Sequence, residues 1–88
     1  MNITFDPSKD AINIDKHGVS LVDASGFEWD EAVTWQDQRH EYGECRMIGL
    51  GYIGIRLFVI VFVDRGENRR IISLRKANPK EVTHYAQT

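Results

Sequence analysis

The residues best suited to chemistry stand in the last third of the chain. There Arg65-Gly-Glu-Asn-Arg69-Arg70-Ile-Ile-Ser-Leu-Arg75-Lys76-Ala77 gathers five cationic side chains into thirteen residues. A guanidinium keeps its charge at any physiological pH and can grip two phosphate oxygens at once, so such a run suits a phosphate-bearing ligand. The rest of the chain carries the opposite charge. Residues 1–45 hold three Lys and Arg against ten Asp and Glu, a net of −7, whereas residues 46–88 hold eight against three, a net of +5. The overall −2 and the pI of about 5.8 therefore conceal a basic half. Local fields steer charged ligands, and this asymmetry points to a nucleic-acid partner.

Length and composition limit what can position these residues. Eighty-eight residues suit one domain, spanning 1–88, and 42% apolar with 27% charged residues indicates a folded chain. A single Cys45 excludes an internal disulfide, and three scattered histidines argue against a structural zinc. The N-terminal residues lack the features of a signal peptide, and the longest apolar run, Leu57 to Val63, is far short of a membrane span. A soluble, cytoplasmic protein with no membrane partner is the expectation.

Residues 2–5 suit a short edge strand. Asp6-Pro7 is a helix start, because Asp caps free N–H groups and Pro fits the first helical position. That helix should run to about Lys16 with Ala11, Ile12 and Ile14 as its apolar residues, and Gly18 should stop it. Ser20-Leu-Val-Asp23 opens a second short helix with Leu21, Ala24 and Phe27 inward. Extended pattern follows: Ala32 to Trp35, a loop from Arg39 to Glu44, then Cys45 to Ile53, where Gly49 and Gly51 share one face. Such a pair leaves room for a close neighbour or marks a bulge. Arg56 to Asp64 is the central strand, Asn68 to Lys76 completes a hairpin, and Asn78-Pro79 starts a last helix to about Ala86. A two-residue type II′ turn at Gly66-Glu67 makes paired positions sum to 133. Asp64 then faces Arg69, Phe62 faces Ile71, Val61 faces Ile72, Ile60 faces Ser73, Val59 faces Leu74 and Phe58 faces Arg75. On this register the β-branched face seats the helices, and Arg75 lies among aromatic and small neighbours.

Phe5-Asp-Pro-Ser-Lys9, Asn13, Lys16-His-Gly-Val-Ser20, Arg46-x-Ile-Gly49, Arg70-Ile-Ile-Ser-x-Arg-Lys-Ala77, Glu81 and Tyr85 occur here in one order. In this the chain resembles the BrnT family of type II toxin–antitoxin toxins over nearly its whole length. Two positions depart from the family pattern: Phe5 replaces a frequent Trp, and Leu74 a usual small Ala. The resemblance implies an α+β, RelE-like fold, with two N-terminal helices on a twisted antiparallel sheet of about four strands and a C-terminal helix. It implies a ribosome-independent endoribonuclease that cuts mRNA and halts translation, with no metal or organic cofactor expected. It also implies neutralisation by a ribbon-helix-helix antitoxin of the BrnA type, with promoter DNA bound only through that antitoxin.

Metal-independent RNA cleavage needs a base for the 2′-OH, a cation for the phosphorane and an acid for the leaving 5′-oxygen. The fragments would end in a 2′,3′-cyclic phosphate. Arg75 suits the phosphorane clamp, or a surface ion pair at a strand end. Tyr85 could stack on a base or move a proton, or seal its helix onto the sheet. His17 is the near-neutral titratable group within a motif, and equally a helix-end histidine facing the last carbonyls. Arg65, at the turn, could swing toward RNA or stay solvated. Lys16, Arg46, Arg56, Arg69, Arg70 and Lys76 are candidate RNA contacts. Asp64 reads as a partner for Arg69 rather than a base, and His40 and His84 carry no motif signal. Phe27, Trp29 and Trp35 read as core aromatics or as an antitoxin surface, because Trp is a common binding anchor. A second functional class stays open: a non-catalytic toxin homologue that binds RNA or antitoxin without cleaving.

Overall fold

The computed structural model describes residues 1–39 and 43–88. The central residues of the loop expected from Arg39 to Glu44, His40 among them, lie outside the described residues. Five strands form one sheet in the order β1-β5-β4-β3-β2: β1 is Asn2–Thr4, β2 Val33–Gln36, β3 Met47–Ile53, β4 Arg56–Arg65 and β5 Asn68–Lys76. Helix α1 spans Pro7–His17, a 3₁₀ helix spans Leu21–Gly26, a single 3₁₀ turn spans Trp29–Glu31, and helix α2 spans Pro79–Ala86.

The local signals act as their chemistry dictates. The Asp6 carboxylate accepts from the Ser8 N–H to cap α1, and Gly18 ends it in the left-handed conformation at φ 71°. Asn78 and Glu81 cap α2 reciprocally. Gly66 turns the hairpin with φ 60°, as a type II′ turn requires.

Three expectations need correction. First, the sheet has five strands and is mixed, because β1 pairs parallel to β5 through Asn2↔Asn68 to Thr4↔Arg70. The crossover through α1 and the later strands returns the chain beside its own start. Second, Ile12 and Ile14 are exposed and Asn13 is the buried residue of α1, so the helix does not bury an apolar stripe. It lies along the β5 edge instead, and the Asn13 amide bonds to the backbone of Leu74 and Val19. Third, the hairpin register holds from Arg65↔Asn68 to Phe62↔Ile71 and then slips, so that Val61 faces Ser73, Ile60 faces Leu74, Val59 faces Arg75 and Phe58 faces Lys76. Ile72 is the extra residue of a β-bulge.

The slip exchanges the faces beyond it. One face, with Phe58, Ile60, Phe62, Ile71 and Leu74, packs under the 3₁₀ helix through Leu21, Ala24 and Phe27. The other face carries Leu50, Leu57 and Val59, covered at one end by Tyr85 of α2 with Tyr52 and Ala77. The 3₁₀ helix therefore sits over the aromatic face rather than the β-branched one. Gly49 and Gly51 lie within the sheet where neighbours approach closely: an added Cβ would meet Ile60 Cγ2 at 2.9 Å and Phe27 Cζ at 2.7 Å.

Candidate nucleic-acid interface

The bulge brings Arg75 to the partly open face. It lies opposite Val59 and is only partly exposed. Its guanidinium donates two bonds to the Glu81 carboxylate, Nη1 to Oε1 at 2.9 Å and Nη2 to Oε2 at 2.8 Å, and Nη1 reaches the Lys76 carbonyl at 3.3 Å. Glu81 Oε1 also accepts from the Asn78 N–H at 2.8 Å, so helix capping and the ion pair hold the same carboxylate. The Arg75 bonds lower the Glu81 carboxyl below its ordinary value.

His17 closes α1 on the neighbouring side. Burial, then the positive charges of Lys16 and Arg75, push its imidazole below the ordinary value. A neutral imidazole within the field of a phosphate-gripping guanidinium can accept a proton. Tyr85 stands one turn beyond Glu81. Its hydroxyl donates to the Glu31 carbonyl at 3.0 Å, and its ring meets Tyr52 edge-on at 5.4 Å. The first contact ties α2 to the 3₁₀ turn and the second to β3.

A second cationic group occupies the hairpin end of the same face. Arg65 forks onto Glu44 through bonds of 3.1 and 2.7 Å, and the charges of Arg46 and Arg70 also act on that carboxylate. Arg70 approaches Asp6 at 3.7 Å. Arg65 pairs with Asn68, seven residues along β5 from Arg75, a separation on the order of 20 Å at the strand rise. The two groups cannot touch one phosphate. Arg39, forked onto the buried Asp37, is close enough for its charge to act on Arg75. The cations of this face form a track rather than one cluster.

The remaining candidates fall elsewhere. Arg69 bonds Asp64 at 2.6 and 2.9 Å and lies over the Trp29 and Phe62 rings on the opposite face. Lys76 is exposed opposite Phe58, and Arg56 is exposed at the far start of β4. Phe27 is buried, Trp29 is half-buried between Phe27 and Phe62, and Trp35 stands exposed on β2. Among the described residues no group of three or more His, Cys, Asp and Glu is arranged to hold a metal.

Sequence reasoning missed the arrangement around Glu81. The Asn78-x-x-Glu81 spacing marks a capping box and could have located that carboxylate. No signal marks Arg39, which follows an edge strand.

A family profile described as the ribonuclease toxin BrnT of type II toxin–antitoxin systems matches residues 5–81. The chain belongs to the BrnT family. Among solved structures it is similar to the Brucella abortus ribonuclease toxin BrnT, with 27% sequence identity, a TM-score of 0.72, and coverage of 89% of this chain and 97% of that one. No curated protein matches the chain. Membership makes the BrnT-family chain a ribonuclease toxin of a type II system, which implies an RNA target and an antitoxin partner. Among its described residues no helix is long and apolar enough to cross a membrane.

Proposed function

We propose that this BrnT-family chain cuts mRNA without the ribosome, by metal-independent attack of the 2′-OH on the adjacent phosphate. A ribbon-helix-helix antitoxin of the BrnA type holds it in check, and promoter DNA is bound only through that antitoxin. The fold would be a RelE-like variant. The carrying observation is the placement of Arg75 on the partly open face, at one end of a cationic track and near enough for its charge to act on His17. In this reading Arg75 clamps the phosphorane and His17 takes the 2′-OH proton. RNA phosphate must first displace Glu81, a bidentate carboxylate that occupies the same two donors. Tyr85 is the candidate for the leaving-group proton, and its hydroxyl must then release the Glu31 carbonyl.

The test is incubation of the purified chain with a synthetic mRNA in EDTA, beside Arg75→Ala. Fragments with 2′,3′-cyclic phosphate ends from the parent chain alone are expected. Intact RNA with folded protein in both reactions would move the function to binding without cleavage. Cleavage by Arg75→Ala at the parental rate would remove the arginine from the site.

A further inference from the structure

A groove of about 720 Å³ lies between β2 and α2, beside the arginine site. Val33 and Leu50 form its apolar floor, Trp35 and His84 its aromatic walls, and Lys80 and Glu81 its polar rim. The rings of Trp35 and His84 meet edge-on at 6.2 Å, and Trp35 remains 40% exposed, unusual for so large an apolar side chain. Glu81 belongs both to this groove and to the Arg75 ion pair. Whatever fills the groove therefore sits next to the guanidinium.

We infer that the groove receives one unstacked base of single-stranded RNA, stacked on Trp35, beside the phosphate gripped by Arg75. Three features select this occupant. Its volume lies in the range of pockets for drug-sized ligands, enough for a base with its ribose and too small for a duplex. An aromatic wall over an apolar floor matches the π-face of a base, the usual means of holding single-stranded RNA. The rim supplies Lys80 and adjoins Arg75 at the end of the cationic track, so charge favours an occupant with phosphates on either side. The inference rests on the ribonuclease reading above and adds the subsite that would choose which nucleotide lies at the cut. His84 serves as a positioning residue that sets the Trp35 ring.

Binding and cleavage are read separately. Binding uses a fluorescent 2′-O-methyl oligoribonucleotide, which cannot be cut, with the parent chain, Trp35→Ala, Trp35→Phe and His84→Ala. Folding of each variant is checked by circular dichroism, and His84→Ala, on the exposed face of α2, keeps the test open if a Trp35 variant unfolds. Trp35→Ala should weaken binding roughly 5- to 100-fold with an unchanged salt slope, since it removes stacking and no phosphate contact. Trp35→Phe should restore most of the affinity, and His84→Ala should weaken binding severalfold. On a cleavable RNA, Trp35→Ala should redistribute the cut sites. Parental affinity and cut sites in folded Trp35→Ala and His84→Ala would overturn the groove while leaving the ribonuclease intact. Loss of antitoxin binding with RNA affinity retained would reassign Trp35 to the antitoxin and overturn it equally. A parent chain that binds the oligonucleotide in a Trp35-dependent way yet cuts nothing would uphold the groove and overturn the cleavage reading. A parent chain that neither binds nor cuts overturns both.

Discussion

The side-chain amide of Asn13 acts as a strand residue toward Leu74. Its Nδ2 donates to the Leu74 carbonyl at 2.8 Å, and its Oδ1 accepts from the Leu74 N–H at 3.1 Å. The same Nδ2 donates to the Val19 carbonyl at 2.8 Å. β1 pairs with β5 only as far as Arg70, and Asn13 satisfies the open edge at Leu74 beyond it. It thereby fixes α1, and with it His17, against the strand that carries Arg75. Asn13→Leu would fill the space but strand one buried N–H and two carbonyls. The expected cost is about 2–4 kcal/mol, from the penalty for unsatisfied buried polar groups. A urea titration should show a lower midpoint with an unchanged slope. An unchanged midpoint would mean that water or a backbone shift replaces the amide.

Gly51 and Gly49 give a graded packing prediction. A Cβ at Gly51 would stand 2.7 Å from Phe27 Cζ and 3.1 Å from Ala32 Cβ, and Phe27 is buried with no room to turn away. At Gly49 the tight contact is one methyl of Ile60 at 2.9 Å. Gly51→Ala should destabilise by about 2–3 kcal/mol and Gly49→Ala by about 1–2, the range for overpacked cores. Thermal unfolding of both variants checks the order, and a Gly49 variant weaker than the Gly51 variant would contradict it.

Much of this fold is legible residue by residue, and what is not legible has a physical cause. The cap at Asp6, the stops at Gly18 and Gly66 and the crowding at the paired glycines follow from local chemistry. The Asp64–Arg69 pair follows from turn geometry, and it is present. The bulge at Ile72 does not. It falls on one of two successive isoleucines, a run that gives no alternation to betray the extra residue, so a register counted from the turn puts Arg75 opposite Phe58. The parallel pairing of β1 is equally hidden, because a three-residue edge strand carries no directional signal. For the site, sequence named Arg75, Arg46, Arg65 and Arg70, whose charges lie along one face, and Lys16 and His17 at the end of α1, where the charges of Lys16 and Arg75 act on the imidazole. It gave no reason to part them from Arg69, whose guanidinium lies over Trp29 and Phe62 on the other face.

Glu81 competes with RNA for Arg75. The pair is partly exposed, with side chains 38% and 26% accessible, so it contributes only about 0.5–1 kcal/mol to stability. Glu81→Gln keeps a side-chain oxygen for the helix cap and removes the competing charge. The expected result is a severalfold gain in affinity for a non-cleavable oligonucleotide, with a steeper salt dependence as Arg75 becomes available. Fluorescence anisotropy across a salt series measures both. A loss of affinity would show that Glu81 holds Arg75 in the binding geometry instead.

His17 sets a pH dependence whose sign can be worked out. Burial is the largest influence on it, followed by Lys16 and Arg75, and all three disfavour the imidazolium. The unfolded chain takes up this proton near the ordinary value of 6.5, whereas the folded chain takes it up only at lower pH. The unfolded state therefore binds more protons between those values, and stability falls as pH drops through that window. Above 6.5 the imidazole is neutral in both states, and its contribution to stability no longer changes. The same shift keeps the base form available in mildly acidic solution, so single-turnover cleavage should fall on an acid limb centred below 6.5. His17→Gln should abolish that limb along with most of the activity, and should flatten the stability profile below pH 6.5. Imidazole chemical shifts followed by NMR against pH would locate the titration directly. A limb centred above 6.5, or one that persists in His17→Gln, would assign the proton transfer to another group.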